Sequence, residues 1–202
     1  MFPNVGFFVE TESGSELFLN RIKQIATIPC SGFMETERLF FKLYGTENKA
    51  DFINLTTDET IMKHVDLGVL TLEKAEELWK KLIEEFYTSG KNTIYAVFAK
   101  DDKRYLGHAA IRPRPTKTED WEISYMLRTE EWGKGFATEI AKRLIRFGFE
   151  ELNLTEVFAT IDDANLNSMK VVEKAGMIFL HREFDDDGGY SVYSIKKLSY
   201  QS

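Results

Sequence analysis

One passage constrains this chain more than any other. A β-type run, Trp121 to Arg128, passes through Glu131-Trp132-Gly133-Lys134-Gly135-Phe136-Ala137 and straight into a helix, whose buried face is marked by Ala137, Ile140, Ala141, Leu144, Ile145 and Gly148. A helix N-terminus carries unpaired N–H groups and a partial positive charge, so it receives phosphate well. Glycines let the backbone approach a diphosphate closely. From residue 132 to 149 the bases Lys134, Lys142, Arg143 and Arg146 face one acid, Glu139, in a chain whose net charge is −7. A Gly-x-Gly by itself is equally an ordinary tight strand-to-helix turn. Two standard phosphate loops are excluded: no Gly-x-x-x-x-Gly-Lys-Ser/Thr string occurs, and the third glycine of a dinucleotide fingerprint is replaced by Thr138.

The rest of the pattern places this loop within a sheet. Arg38 to Leu43 reads as a short strand and Thr46 to Leu55 as a short helix. Leu72, Ala75, Leu78, Trp79, Leu82, Ile83 and Phe86 recur at helical spacing, with Thr71 as N-cap and Gly90 as stop. Strands follow at Thr93 to Ala99, Tyr105 to Arg112 and Trp121 to Arg128, the first two joined by the polar turn 100–104. After the glycine loop and its helix come a buried strand, Val157 to Ile161, and a helix, Asn165 to Ala175, closed by Gly176. Two last strands, Ile178 to Phe184 and Tyr190 to Lys196, flank Asp185-Asp186-Asp187-Gly188-Gly189. A hairpin meander followed by a strand–helix–strand unit implies a mixed α/β (α+β) sheet with helices on both faces. Before Met34 the signals are ambiguous: Val5 to Ile22 fits either a hairpin or a helix face. The expected organisation is an N-terminal extension over 1–33, one domain over 34–198 and a tail over 199–202.

Composition bounds the function. Hydrophobic residues make up 43% of 202 residues, enough for a sizeable core. The acidic balance argues against a nucleic-acid partner, which needs a basic face. No apolar run of about 18 residues is present to span a membrane. A single cysteine, Cys30, cannot form an intramolecular disulfide, which fits a reducing, cytoplasmic setting. His64, His108 and His181 are far apart and make no zinc spacing with it, so no metal is expected. Asp185-Asp186-Asp187-Gly188 starts like a calcium loop but lacks the later ligand spacing, and reads as a solvated turn.

Four strings, in order, carry a family resemblance: Arg38-Leu39; Trp121-Glu122-Ile123-Ser124-Tyr125; Trp132 to Glu139; and Asn165-x-x-Ser168 followed by Glu173-Lys174-Ala175-Gly176-Met177. From about Glu35 to Lys197 the chain resembles the GNAT superfamily of acetyl-CoA-dependent N-acetyltransferases, and most nearly the branch that includes the ribosomal-protein N-terminal acetyltransferases. The resemblance implies a mostly antiparallel central sheet with a splayed strand pair that binds CoA. It also implies acetyl transfer to a primary amine by direct attack in a ternary complex. On that resemblance, acetyl-CoA is the expected cosubstrate and no metal is expected. The acceptor class spans protein N-termini and small amines, and a homodimer is compatible with it. Two positions depart from the superfamily pattern: Glu130 stands where Arg or Gln is usual, and Val172 where many members carry a tyrosine acid.

Carried onto this sequence, the resemblance assigns roles. Tyr125, Met126 and Leu127 would offer backbone groups to the thioester and pantetheine. The loop Trp132, Gly133, Lys134, Gly135, Phe136, Ala137 and Thr138 would hold the pyrophosphate. Asn165 would bond the pantetheine amides, or simply cap its helix. Glu122 is the expected general base, through a water; strand alternation alone fits a salt-bridged strand residue equally well. Ser168 is the expected proton donor to the thiolate, against a first-turn structural role. Tyr190 and Tyr193 read as core or edge aromatics. The competing reading is a CoA-binding sensor or scaffold without catalysis.

Overall fold

The computed structural model describes residues 33–65, 67–87, 93–114, 117, 119–184 and 188–200. The readings for Val5 to Ile22, Cys30, Gly90 and the Asp185–Asp187 turn lie outside them. Eight strands form one sheet in the order β1-β2-β3-β4-β5-β6-β8-β7. They are β1 Phe33–Glu35, β2 Leu39–Lys42, β3 Ile94–Ala99, β4 Tyr105–Pro113, β5 Trp121–Leu127, β6 Glu156–Asp162, β7 Ile178–Phe184 and β8 Gly189–Lys196. Every neighbouring pair is antiparallel except β5 and β6. The helices are α1 Lys49–Thr57, α2 Glu59–Met62, α3 Leu72–Lys80, α4 Phe136–Glu150, α5 Leu166–Lys174 and α6 Lys197–Tyr200. The mixed, mostly antiparallel sheet with helices on both faces is the architecture the sequence pattern implies. The short elements β1, α2 and α6 are additions to it.

Strand alternation sorts side chains into two cores. On one face Phe41, Val97, Ala109, Ile111 and Ile123 pack against Ile140, Ala141, Leu144 and Ile145 of α4 and Val172 of α5. On the other, Ala96, Phe98, Ala110 and Met126 pack against Phe52 and Leu55 of α1 and Ala75, Leu78 and Trp79 of α3. Fully burying each such large apolar side chain is worth roughly 1.5–3 kcal/mol. Thr71 caps α3 as its sequence suggested, its hydroxyl accepting from the Lys74 N–H at 3.3 Å. Regular helix ends earlier than the periodicity predicts, at Lys80, and widens into a π turn over Lys81–Phe86. That turn closes with Tyr87 N–H on the Leu82 carbonyl. The Tyr87 phenol then donates to the Ile94 carbonyl at 2.7 Å and accepts from Tyr44 N–H at 3.1 Å. The wide turn thus docks the end of the helix onto β3 through a side chain.

The sheet parts where α4 crosses between its only parallel strands. β5 keeps register with β4 from Trp121 to Leu127, and β6 with β8 along its whole length, but β5 and β6 share only Glu122↔Phe158. Beyond that pair the β5–β6 ladder does not continue.

The α1–α3 face also buries a histidine beside two tyrosines. His108 is fully buried, its Nδ1 is 3.1 Å from the Tyr44 hydroxyl, and that hydroxyl lies 2.9 Å from Tyr105 Oη. Burial first, then the Arg112 charge, push its pKa down to about 3. An unfolded histidine titrates near 6.5. Between these values the unfolded chain binds the extra proton, so this contribution is complete above pH 6.5 and is lost as pH falls toward 3. We expect unfolding free energy to drop over that window by up to about 1.4 kcal/mol per pH unit from this group. Denaturant titrations of His108→Gln at pH 7, 5 and 4 should show a slope flatter by that amount, and equal slopes in both proteins would refute the assignment.

Candidate active site

The loop between β5 and α4 is built by two left-handed residues. Gly133 has φ +73° and Gly135, the residue capping α4, has φ +81°. A side chain there costs about 1–2 kcal/mol in backbone strain, although a Cβ at Gly133 would meet nothing within 4 Å. The glycines are therefore required by dihedral angle rather than by crowding. The first intrahelical bond runs from Glu139 N–H to the Gly135 carbonyl at 3.2 Å. The N–H groups of Phe136, Ala137 and Thr138 precede it and are free of helical acceptors, as at any helix start. Trp132 braces the loop, its indole N–H donating to the Leu127 carbonyl at 2.9 Å while its ring stays half-exposed.

Arg38, at the entrance to β2, locks this loop from outside. Its guanidinium donates to the Lys134 carbonyl at 3.0 Å and to Glu139 Oε2 at 2.7 Å, and lies 4.6 Å over the Phe136 ring. Glu139 also accepts from the Arg38 N–H and the Thr36 hydroxyl. Burial opposes its ionisation, but these donors outweigh it and hold the carboxyl below its ordinary range. The Arg38-Leu39 string was legible in the sequence, whereas this role was not, because its partners lie about 100 residues downstream.

Side chains supply less positive charge than the sequence count suggests. Lys134 pairs with buried Glu131 at 3.0 Å, Arg143 with Glu151 at 3.0 Å and Arg146 with Glu150 at 2.8 Å. All three acids lie just outside the 132–149 window. Glu131 is held below its usual pKa, first by its hydrogen bond from Arg104. Lys142 stands exposed on α4. What the loop itself offers an anion is mainly backbone N–H.

The remaining expected residues lie on β5 and α5. Tyr125 lies on the α4 side of β5, and its hydroxyl reaches toward the Ser168 carbonyl at 3.5 Å, tying the split strand to α5. Burial pushes its phenol upward. Met126 faces the α1–α3 core and Leu127 the α4 core. Asn165 caps α5, its Oδ1 accepting from Ser168 N–H at 3.1 Å. Val172 is fully buried against the α4 side, so no hydroxyl occupies that position. The Tyr193 hydroxyl donates to Glu173 at 3.4 Å. Glu122 lies on the opposite face, 8% exposed, with Arg112 Nη2 3.5 Å from Oε1, Arg114 Nε 3.8 Å from Oε2, and Thr160 donating to Oε2 at 3.3 Å. Ser168 and Glu122 therefore stand on opposite sides of the sheet, near the β5–β6 junction. One contact was unforeseen: His64, in the α2–α3 loop, contacts Asp162 at the end of β6 at 2.6 Å. Burial works against Asp162 ionisation, but the Ala164 N–H and then His64 bring its pKa below the usual value. Among the described residues, no group of three His, Cys, Asp or Glu could hold a metal ion, and no helix is long and apolar enough to cross a membrane.

A split sheet beside a glycine-capped helix defines a class, and comparison with known proteins identifies it. Residues 38–178 match the Acetyltransferase (GNAT) domain, so the chain belongs to the GNAT acetyltransferases and is an acetyl-CoA-dependent N-acetyltransferase. The N-acetyltransferase YnaD of Bacillus subtilis is 27% identical over 143 residues, covering 70% of this chain and 80% of YnaD. A GNAT acetyltransferase structure from Bacillus anthracis superposes with a TM-score of 0.69 at 23% identity, covering 81% of this chain and 98% of that one. A Vibrio cholerae spermidine N-acetyltransferase, crystallised with CoA and spermine, gives 0.66 at 19% identity, covering 83% and 100%.

The Arg38 lock generates a direct expectation. Arg38→Gln removes the guanidinium from both Glu139 and the Lys134 carbonyl. CoA should bind about tenfold more weakly by isothermal titration, the equivalent of one lost charge-assisted contact of about 1.5 kcal/mol. An unchanged Kd would mean the loop holds its shape without Arg38.

Proposed function

We propose that the protein moves an acetyl group from acetyl-CoA to a primary amine by direct attack in a ternary complex. Glu122 acts as general base through a water, and Ser168 serves the leaving thiolate. The observation that supports this reading is the placement of the two groups on opposite sides of the sheet, where β5 and β6 share one registered pair. CoA would enter along the α4–α5 side, its pyrophosphate on Trp132, Gly133, Lys134, Gly135, Phe136, Ala137 and Thr138. Its pantetheine arm would run along Tyr125 to Leu127 and past Asn165. The acceptor would enter from the α1–α3 side, where Glu122 lies.

The steps balance simply. The amine nitrogen bonds to the thioester carbon and the carbonyl oxygen gains charge, which β5 backbone N–H groups stabilise. The C–S bond then breaks. The ammonium proton passes through water to the Glu122 carboxylate, and the thiolate takes a proton delivered by way of the Ser168 hydroxyl. An α-amino group, with a pKa near 8, needs less help than a lysine-like amine near 10.4. That difference, and the resemblance to the ribosomal-protein branch, favour a protein or peptide N-terminus. Polyamines are the small-amine alternative, supported by the likeness to the spermidine enzyme and by the chain's negative charge.

An acetyl-CoA turnover screen over peptide N-termini, polyamines, amino acids and aminoglycosides tests the acceptor class. With the best acceptor, Glu122→Gln and Ser168→Ala should each lower kcat at least tenfold, a typical share for acid–base catalysis, with CoA affinity kept. Undiminished turnover in either variant removes that residue from the chemistry.

A further inference from the structure

Arg114 closes a gap that the strand order makes wide. β5, β6 and β8 separate β4 from β7, so in a flat sheet the two would lie about 19 Å apart, at ~4.8 Å per strand. That exceeds what an arginine and a glutamate span end to end. Yet Arg114, the residue that follows β4, donates through Nη2 to Glu183 Oε2 on β7 at 2.9 Å. Arg114 therefore ties the end of β4 to β7, two strands that are not neighbours in the sheet, on the face that carries Glu122. Arg114 is only 3% exposed. The same guanidinium reaches Thr160 at 3.4 Å, lies 4.0 Å from Asp120 and sits over the Phe158 ring at 5.6 Å. Its backbone N–H is fixed on the Asp120 carbonyl at 2.8 Å.

These contacts meet at the Glu122 carboxylate. Arg112, directly across the β4–β5 ladder, stands by one oxygen; Arg114 and Thr160 stand by the other. Thr160 lies two residues past the last registered β5–β6 pair, so this side-chain link spans the two strands where their backbone ladder has ended. Other charged groups on this face include Lys42 on β2, Asp120 before β5, Glu156 and Asp162 on β6 (the latter with His64), Lys196 on β8, and Glu183 with His181 on β7. Arg112 and Arg114 both lie within 4 Å of Glu122 as ion-pair partners. A buried carboxylate keeps its charge only when such partners satisfy it.

Building on the proposed role of Glu122 as base, we infer that Arg114 is its positioning residue. It fixes the carboxylate across the strand split and anchors it to β7 through Glu183. The planar fork is suited to this, since it serves Glu122, Thr160 and Glu183 together; a lysine ammonium is a point charge that reaches fewer of them.

Steady-state kinetics of Arg114→Met, Arg114→Lys, Glu122→Gln and Arg114→Met/Glu122→Gln test the inference, with acetyl-CoA and the best amine of the screen. For Arg114→Met we expect kcat to fall 10- to 100-fold while KM for acetyl-CoA stays within twofold. Removing a neighbouring cation disfavours the carboxylate form, so the acid limb of kcat/KM should move about one pH unit upward. Arg114→Lys should show a smaller move in the same direction. In the Glu122→Gln background, Arg114→Met should cost nothing further. A purely structural arginine would lower the melting temperature and the active fraction, leave the limb in place, and add its loss to that of Glu122→Gln. That result overturns the inference, and if the Met variant does not fold, the limb of Arg114→Lys decides. Full turnover in Glu122→Gln alone is a different failure: it removes the base, and the positioning role falls with it.

Discussion

Two parallel strands that share one registered pair and then separate set the terms for everything around them. A sheet normally satisfies each strand on both sides, and parting two central strands leaves backbone polar groups that need other partners. The chain can do this because each strand keeps a complete antiparallel neighbour, β4 for β5 and β8 for β6. The connection between them is α4, whose Ile140, Ala141, Leu144 and Ile145 are fully buried. That helix covers one mouth of the split and brings its own N-terminus to the end of β5. The parting of β5 and β6 and the glycine loop at the helix start are therefore consequences of one crossover.

Charge around this crossover is managed locally. Arg38, Lys134, Arg143 and Arg146 are each matched by a glutamate, Glu139, Glu131, Glu151 and Glu150 respectively. Exposed pairs of this kind contribute little stability. The Arg38–Glu139 and Arg104–Glu131 pairs differ, because one carboxylate in each is largely buried and has several donors. Both clamp the same loop, from β2 and from the β3–β4 turn. A loop held open at two glycine dihedrals, but braced at both ends, presents its N–H groups without having to reorganise, which is what favours binding a flexible diphosphate.

The sequence made the strands and long helices legible because their signals are local. Runs of β-type residues bounded by turns marked β3 to β6, the spacing of Ile140, Ala141, Leu144 and Ile145 marked α4, and Asn165 marked the start of α5. The three-residue β1 and four-residue α2 are too short to show a period, and the π turn after Lys80 breaks one. The site was legible only in part. Gly133 and Gly135 announce their dihedrals by being glycine. Glu122 could be placed on a face by counting, but its neighbours could not: Arg112 and Arg114 come from β4, Thr160 from β6 and Glu183 from β7. The His64–Asp162 contact likewise joins residues 98 positions apart. Local pattern reports which way a side chain points and is silent about what it meets.

Val172 poses the remaining chemical question, because its burial leaves the expected tyrosine acid without a counterpart. A free thiol titrates near 8.5, so a departing thiolate at neutral pH is a far better leaving group than an alkoxide and asks for modest help. That help need not be a strong acid. The N-terminal turn of α5, nine residues long, adds a partial positive charge beside Ser168. Its cap is already satisfied by Asn165, which leaves the serine hydroxyl unneeded for capping. Tyr193, the other phenol near α5, is bonded to Glu173, and burial, then the Glu173 charge, raise its pKa. Donating to a carboxylate, it is poorly placed to give up a proton to sulfur. In the proposed mechanism, a helix terminus and the Ser168 hydroxyl, rather than a tyrosine, are therefore what α5 would offer the departing thiolate.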